Sequence, residues 1–194
     1  MYSCNLAGKK ECLKQNSWGT VRVWWAPVLT RGKLHIIVLD DDFPGECSDG
    51  AAILVQKVRA AVNIRFQAER TKPMHLFTDR GKGFYDTRTG KMTEAYKAAL
   101  AEHGLKACIG EDASAQPGHV QELMLHETAV SWMRHRLAET LPKKAWEETV
   151  AQYADRLRFC CEAINRDLNV EGVCREFLPR MQSLRDRQGG SLKK

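Results

Sequence analysis

Apolar residues recur along this chain at two different spacings. Residues 21–26 (VRVWWA) and 34–39 (LHIIVL) are short β-rich runs separated by a turn carrying Arg31 and Gly32, the pattern of an antiparallel hairpin. From Ser48 or Asp49 to about Phe66, Leu54, Val58, Ala61 and Val62 return at helical spacing. A third strand, 74–78, follows Pro73. Thr93 caps a helix that stops at Gly104, and 106–109 makes a fourth strand.

Beyond a loop of small and polar residues (GEDASAQPG) the pattern is helical throughout. One helix runs over 120–141 and stops before Pro142. Another runs over 144–165, with Trp146, Val150, Tyr153, Leu157 and Ile164 on one stripe. The last covers 170–187 and is expected to bend at Pro179. Residues 1–17 show no period and read as a loose lead-in, while the basic tail 188–194 reads as disordered. Strand–helix alternation after a hairpin predicts a mixed α/β sheet with helices on both faces, carried by 18–141, and a helical extension over 142–187 packed on it.

Composition narrows the classes of function. At 194 residues the chain has room for one domain with a real core. No apolar run approaches twenty residues, so no membrane span is expected, and the N-terminus lacks the apolar stretch of a secretory signal. Seven cysteines form an odd set without CxxC spacing, which argues for a reducing, intracellular setting over a disulfide framework. The formal net charge of +6 favours phosphate-rich partners through counterion release.

Two acids stand out. Asp79 ends an apolar strand and is followed by RGKG, where Gly81 and Gly83 keep the backbone close to a ligand and Arg80 and Lys82 can meet phosphates. In open α/β sheets ligands gather at the carboxyl ends of strands. An Asp capping the turn after a strand is the plainer alternative. Glu127, in LMLHETAVSW, falls about 40° from Leu123 on a helical projection, toward Val130, Met133 and Leu137. It is therefore expected to face the sheet, where an acid needs a metal or a partner such as Arg134 or Arg80. Leu125, Ala129 and Trp132 form a second stripe, so Trp132 is expected in the core. His126-Glu127 lacks the second histidine of a zincin helix, since Val130 stands there, and no GxSxG, GxGxxG or P-loop follows a strand.

Taken together, SWG (17–19), the helix, the strand ending in TDRG (78–81), the next helix and strand, QPG (116–118) and HETAVSW (126–132) resemble the later two-thirds of a mariner-like DDE transposase catalytic domain. The resemblance spans residues 17–140. It implies an RNase H-like fold that holds two divalent ions, Mg2+ or Mn2+, between three carboxylates and cuts and joins DNA by in-line attack. By position Asp79 matches the second acid and Glu127 the third, with Glu122 as substitute. Arg80, Lys82, Arg88 and Lys91 become the expected nucleic-acid contacts. The resemblance also implies DNA as partner and nuclear location in a eukaryotic cell, and is compatible with a homodimer.

Departures from the family pattern bear on activity. Arg80 replaces the usual asparagine, ASAQPG replaces the proline-rich loop, and the gap from Asp79 to Glu127 exceeds the family's mid-thirties spacing. The first acid belongs to a central strand ahead of the hairpin, but residues 1–17 hold only Glu11, outside any strand pattern. The N-terminal helix-turn-helix region is absent too. The expectation is a truncated domain, a transposase remnant or fragment, whose first strand is missing and whose catalysis is incomplete. A non-catalytic nucleic-acid binder is one alternative. A second is a haloacid-dehalogenase-like phosphatase using Asp40 and Asp42 after HIIVL, with Thr78 fitting that family's second motif. There FPGE stands in place of the expected glycine–threonine step, the later lysine and paired acids are lacking, and a charged turn after an edge strand is the better explanation of the acids.

Overall fold

The computed structural model describes residues 2–4, 11–15, 19–30, 32–39, 43–63, 74–108, 110–112 and 125–187. Asp40, Asp42, Glu122, the QPG loop and the tail 188–194 lie outside them. Six strands form one sheet: β1 (Tyr2–Cys4), β2 (Glu11–Gln15), β3 (Gly19–Thr30), β4 (Lys33–Leu39), β5 (Met74–Phe77) and β6 (Leu105–Ala107). The helices are α1 (Ser48–Asn63), α2 (Glu94–Glu102), α3 (Leu125–Glu139), α4 (Val150–Asp167), α5 (Val170–Arg175) and α6 (Phe177–Asp186).

The predicted hairpin is β3 and β4, paired from Trp24↔Leu39 to Thr30↔Lys33 around a two-residue turn. Gly32 takes φ +74° there, a conformation that an L side chain rarely adopts. β3 is twice as long as its apolar run, because its first half pairs with β2 and its second with β1.

The lead-in expectation is corrected here. Residues 1–17 contribute two strands, and the central strand expected to be missing is present. β1 lies antiparallel to β3 through Ser3↔Leu29 and parallel to β5 through Ser3↔Phe77. Three residues carry no readable period, so this strand is specified by the open edges on either side of it. β5 then pairs in parallel with β6. Consequently β4, β1, β5 and β6 all run one way against β3, and their carboxyl ends open at the same edge of the sheet.

Alternation along β3 splits the core between two faces. Ala26 and Val28 meet Leu54, Val55 and Val58 of α1 and Tyr96 and Leu100 of α2 on one face. Val23, Trp25 and Leu29 meet Ala129, Met133 and Leu137 of α3, Tyr153, Leu157 and Ile164 of α4, and Phe177 on the other. Helices thus cover both sides, as predicted. Trp132 packs half-buried against the second cluster.

Local chemistry sets the helix ends. Thr93 caps α2 by accepting from the Tyr96 N–H at 3.4 Å. α4 begins after Thr149, whose hydroxyl accepts from the Gln152 N–H while the Gln152 side chain returns to the Thr149 N–H. This capping box stops α4 from starting at Lys144, and a 3-10 turn (Ala145–Glu147) precedes it. The last helix is interrupted at Glu176 rather than bent at Pro179. Pro179 consequently sits in the first turn of α6, where a missing N–H costs no intrahelical bond. No described helix is long and apolar enough to cross a membrane.

Candidate functional site

β5 delivers Asp79 to the sheet's carboxyl edge, and the loop behind it is built from its own backbone. Thr78 is buried, with its hydroxyl 3.5 Å from that of Tyr96. The Asp79 carboxylate accepts from the Gly81 N–H at 3.0 Å. A Cβ at Gly81 would stand 3.0 Å from the same oxygen, so glycine permits this approach. The Gly81 carbonyl accepts in turn from the N–H groups of Phe84 (2.8 Å) and Tyr85 (3.0 Å). Phe84 and Tyr85 pack edge-on against Tyr96, with ring centroids 4.9 and 6.1 Å away. Tyr85 donates to the Gly110 carbonyl at 3.1 Å, fastening the loop to the segment that leaves β6.

Beyond Tyr85 the chain makes a small hairpin. Tyr85 bridges Met92, and the Asp86 N–H donates to the Lys91 carbonyl at 2.8 Å. At its tip the Asp86 carboxylate accepts from the N–H groups of Arg88 (2.9 Å) and Thr89 (2.8 Å). The bond from Thr89 first, and then that from Arg88, hold the Asp86 carboxyl below the usual carboxylate range. Gly90 closes the turn at φ +72°. The backbone of Lys91 then pairs with that of Asp112 beside β6 in an isolated antiparallel β-bridge.

The electrostatics of Asp79 identify its neighbours. Burial raises its pKa most, the Gly81 N–H opposes that, and the carboxylates of Glu46 and Glu127 raise it further. Asp79 thus feels the charge of Glu127 and of Glu46, which comes from the loop ahead of α1. Glu46 was not anticipated, because only the topology of β4 carries that loop to the same edge.

Glu127 itself points differently from the expectation. Its side chain is 53% exposed, and the buried positions of α3 are Leu125, His126, Ala129, Val130, Met133 and Leu137. These merge the two predicted stripes into one face centred between Ala129 and Met133, about 120° from Glu127. His126 takes the inward position. Burial pushes its pKa down to about 4, so the ring is neutral near pH 7 and its 3.8 Å approach to Glu127 is no ion pair.

Tyr2, Ser3 and Cys4 of β1 include no carboxylate. Asp112 lies off the carboxyl end of β6. Among the described residues no three acidic, histidine or cysteine side chains converge closely enough to hold a metal ion.

The cations divide in two. On the helical side Arg136, Lys144, Arg156, Arg158, Arg166 and Arg175 pair with carboxylates. Lys82, Arg88 and Lys91 are exposed and form no ion pair with a described residue, and Arg80 is half-buried beside Asp79.

A stability prediction follows from Asp79. A carboxyl whose folded pKa is raised binds its proton more tightly folded than unfolded, so its contribution to stability falls as pH rises above about 3.8 through the raised value. Asp79→Asn is expected to raise the melting temperature at pH 7, with a smaller gain near pH 4. Thermal unfolding at both pH values checks it; equal gains would disprove the linkage.

No protein-family model and no curated protein matches this sequence. Solved structures do. The crystal structure of the catalytic domain of Mos1 mariner transposase is similar with a TM-score of 0.68 at 10% identity, covering 98% of this chain and 84% of that one. A second structure of that domain, with Raltegravir and Mn, has a TM-score of 0.66 at 10% identity over the same shares. The chain has the RNase H-like α/β fold of the mariner transposase catalytic domain.

Proposed function

We propose that this chain is a transposase-derived DNA-processing domain that engages DNA at the carboxyl edge of its sheet and lacks a complete catalytic acid set. The observation that carries this reading is the central strand β1, which stands beside β5 without a carboxylate to face Asp79. In the mariner-like pattern that strand supplies the first acid. Asp79 is the counterpart of the second acid, and Glu127 remains the candidate third with Glu122 as substitute. The ancestral chemistry is cleavage and strand transfer by in-line displacement at a phosphodiester. Work on DNA would place the protein in the nucleus of a eukaryotic cell.

The donor chemistry suits a hard divalent cation. Asp79 and Glu127 offer carboxylate oxygens, and the repulsion that Asp79 feels from Glu46 and Glu127 is what a bound cation relieves. Asp79 and Glu127 would hold a single Mg2+ or Mn2+. Such an ion supplies charge neutralisation at a phosphate oxygen. The residues themselves do the rest: the Gly81 N–H orients Asp79, and the exposed cations of the 80–91 loop draw the phosphate backbone toward it.

A nicking and strand-transfer assay with Mg2+ or Mn2+ tests the reading. The expected result is DNA binding that weakens with salt, with no cleavage above that of Asp79→Ala. Cleavage by the wild type that Asp79→Ala abolishes would show a complete site. DNA affinity that is undetectable or indifferent to salt would refute the nucleic-acid reading, because phosphate contacts require a salt slope.

A further inference from the structure

We infer that the hairpin from Tyr85 to Met92 is a preorganised finger that grips the phosphate backbone of duplex nucleic acid, with Arg88 at its tip and Lys82 and Lys91 at its base. This rests on the DNA reading above and specifies which element makes the contact and what it recognises.

The stalk is immobilised by the core. Phe84 and Tyr85 are fully buried against Tyr96, the Thr93 hydroxyl donates to the Gly83 carbonyl at 2.9 Å, and Tyr85 donates to the Gly110 carbonyl. The tip is the opposite: Thr87, Arg88 and Thr89 are all exposed. One oxygen of the Asp86 carboxylate accepts from the tip's own backbone, from the N–H groups of Arg88 and Thr89, and the Arg88 guanidinium acts on Asp86 through its charge without a close ion pair. The finger therefore presents a cation on a turn of fixed geometry, which lowers the ordering cost of a contact.

The class of ligand follows from what the finger lacks. Its aromatic rings are buried in the stalk, so no ring is available to stack on an unpaired base. Its exposed groups are cations and hydroxyls, which recognise phosphate and sugar without reading sequence. Gly81 links the finger directly to the loop that holds Asp79, so a strand held by the finger passes beside that carboxylate.

Fluorescence anisotropy of the full chain with a labelled duplex DNA, titrated over a range of salt, tests this. The triple variant Lys82→Ala, Arg88→Ala, Lys91→Ala is expected to bind more weakly and to lower the salt slope by about 0.9 for each contact removed. Arg88→Ala alone, at an exposed tip, should give one such step. Asp86→Ala supplies the discriminating arm. It removes a negative charge, so simple attraction predicts tighter binding, whereas a finger that depends on its turn predicts several-fold weaker binding with the slope unchanged. Triple-variant affinity equal to wild type, or tighter binding by Asp86→Ala, overturns the finger while leaving the DNA reading intact. Wild-type protein that shows no salt-dependent binding removes the DNA reading itself.

Discussion

Replacing Arg156 with methionine is expected to cost about 3–5 kcal/mol of folding stability, the range for removing one partner of a buried ion pair. The Arg156 guanidinium donates twice to the Glu148 carboxylate at 2.7 Å and once to the Leu137 carbonyl at 3.0 Å. It also lies 5.0 Å from the Tyr153 ring centroid. Glu148 is 5% exposed and Arg156 12%, so neither charge is well hydrated once its partner is gone. The contact joins the last turn of α3 to the cap that launches α4. Glu148→Met should cost a similar amount, because it leaves the guanidinium unpaired. The double variant Glu148→Met, Arg156→Met should be less damaging than either single change, since no uncompensated charge is then left inside. Urea unfolding of the four proteins checks this. A double variant whose loss equals the sum of the single losses would mean that the pair does not interact as the geometry requires.

Acidification from pH 6.5 to pH 4 is expected to remove roughly 3 kcal/mol through His126 alone, at about 1.4 kcal/mol per pKa unit. The sign follows from burial. His126 has an ordinary pKa near 6.5 unfolded and about 4 folded, so between those values the unfolded chain binds the additional proton. Stability is complete above pH 6.5 and is lost as pH falls toward 4. Asp79 acts with the opposite sign, which makes the comparison with His126→Gln necessary. That variant should unfold at nearly the same denaturant concentration at pH 6.5 and pH 4.5 after the changes common to both proteins are subtracted. A wild-type pH dependence no steeper than that of His126→Gln would show that the ring is solvated. The prediction also bears on the site, because protonation of His126 would place a cation beside Glu127.

Several features were legible because their causes are local. The apolar run before TDRG put Asp79 at a strand end, and β5 with the Gly81 contact bears that out. Thr93 reads as a cap because its hydroxyl reaches an N–H three residues away. The hairpin of β3 and β4 follows from its short turn and its alternation. The orientation of Glu127 was not legible in the same way. A projection centred on Leu123 sets a direction only if that residue marks the centre of the buried face, and the packing of α3 on β3 and α4 centred it elsewhere.

The clearest division lies between elements and pairings. Sequence by itself determined that the chain alternates strands and helices, where most of them start and stop, and that an acid closes β5. It also established that the segment ahead of the hairpin holds one acid, Glu11. Tertiary structure decided that Tyr2–Cys4 is the sheet's central strand, and that Glu46 and Glu127 share the field of Asp79. The physical reason is range. Caps and periodic faces are written within a few residues, whereas a three-residue strand exists only through the hydrogen bonds its neighbours leave open. Electrostatic neighbours far apart in sequence meet only once the sheet has brought their loops to one edge.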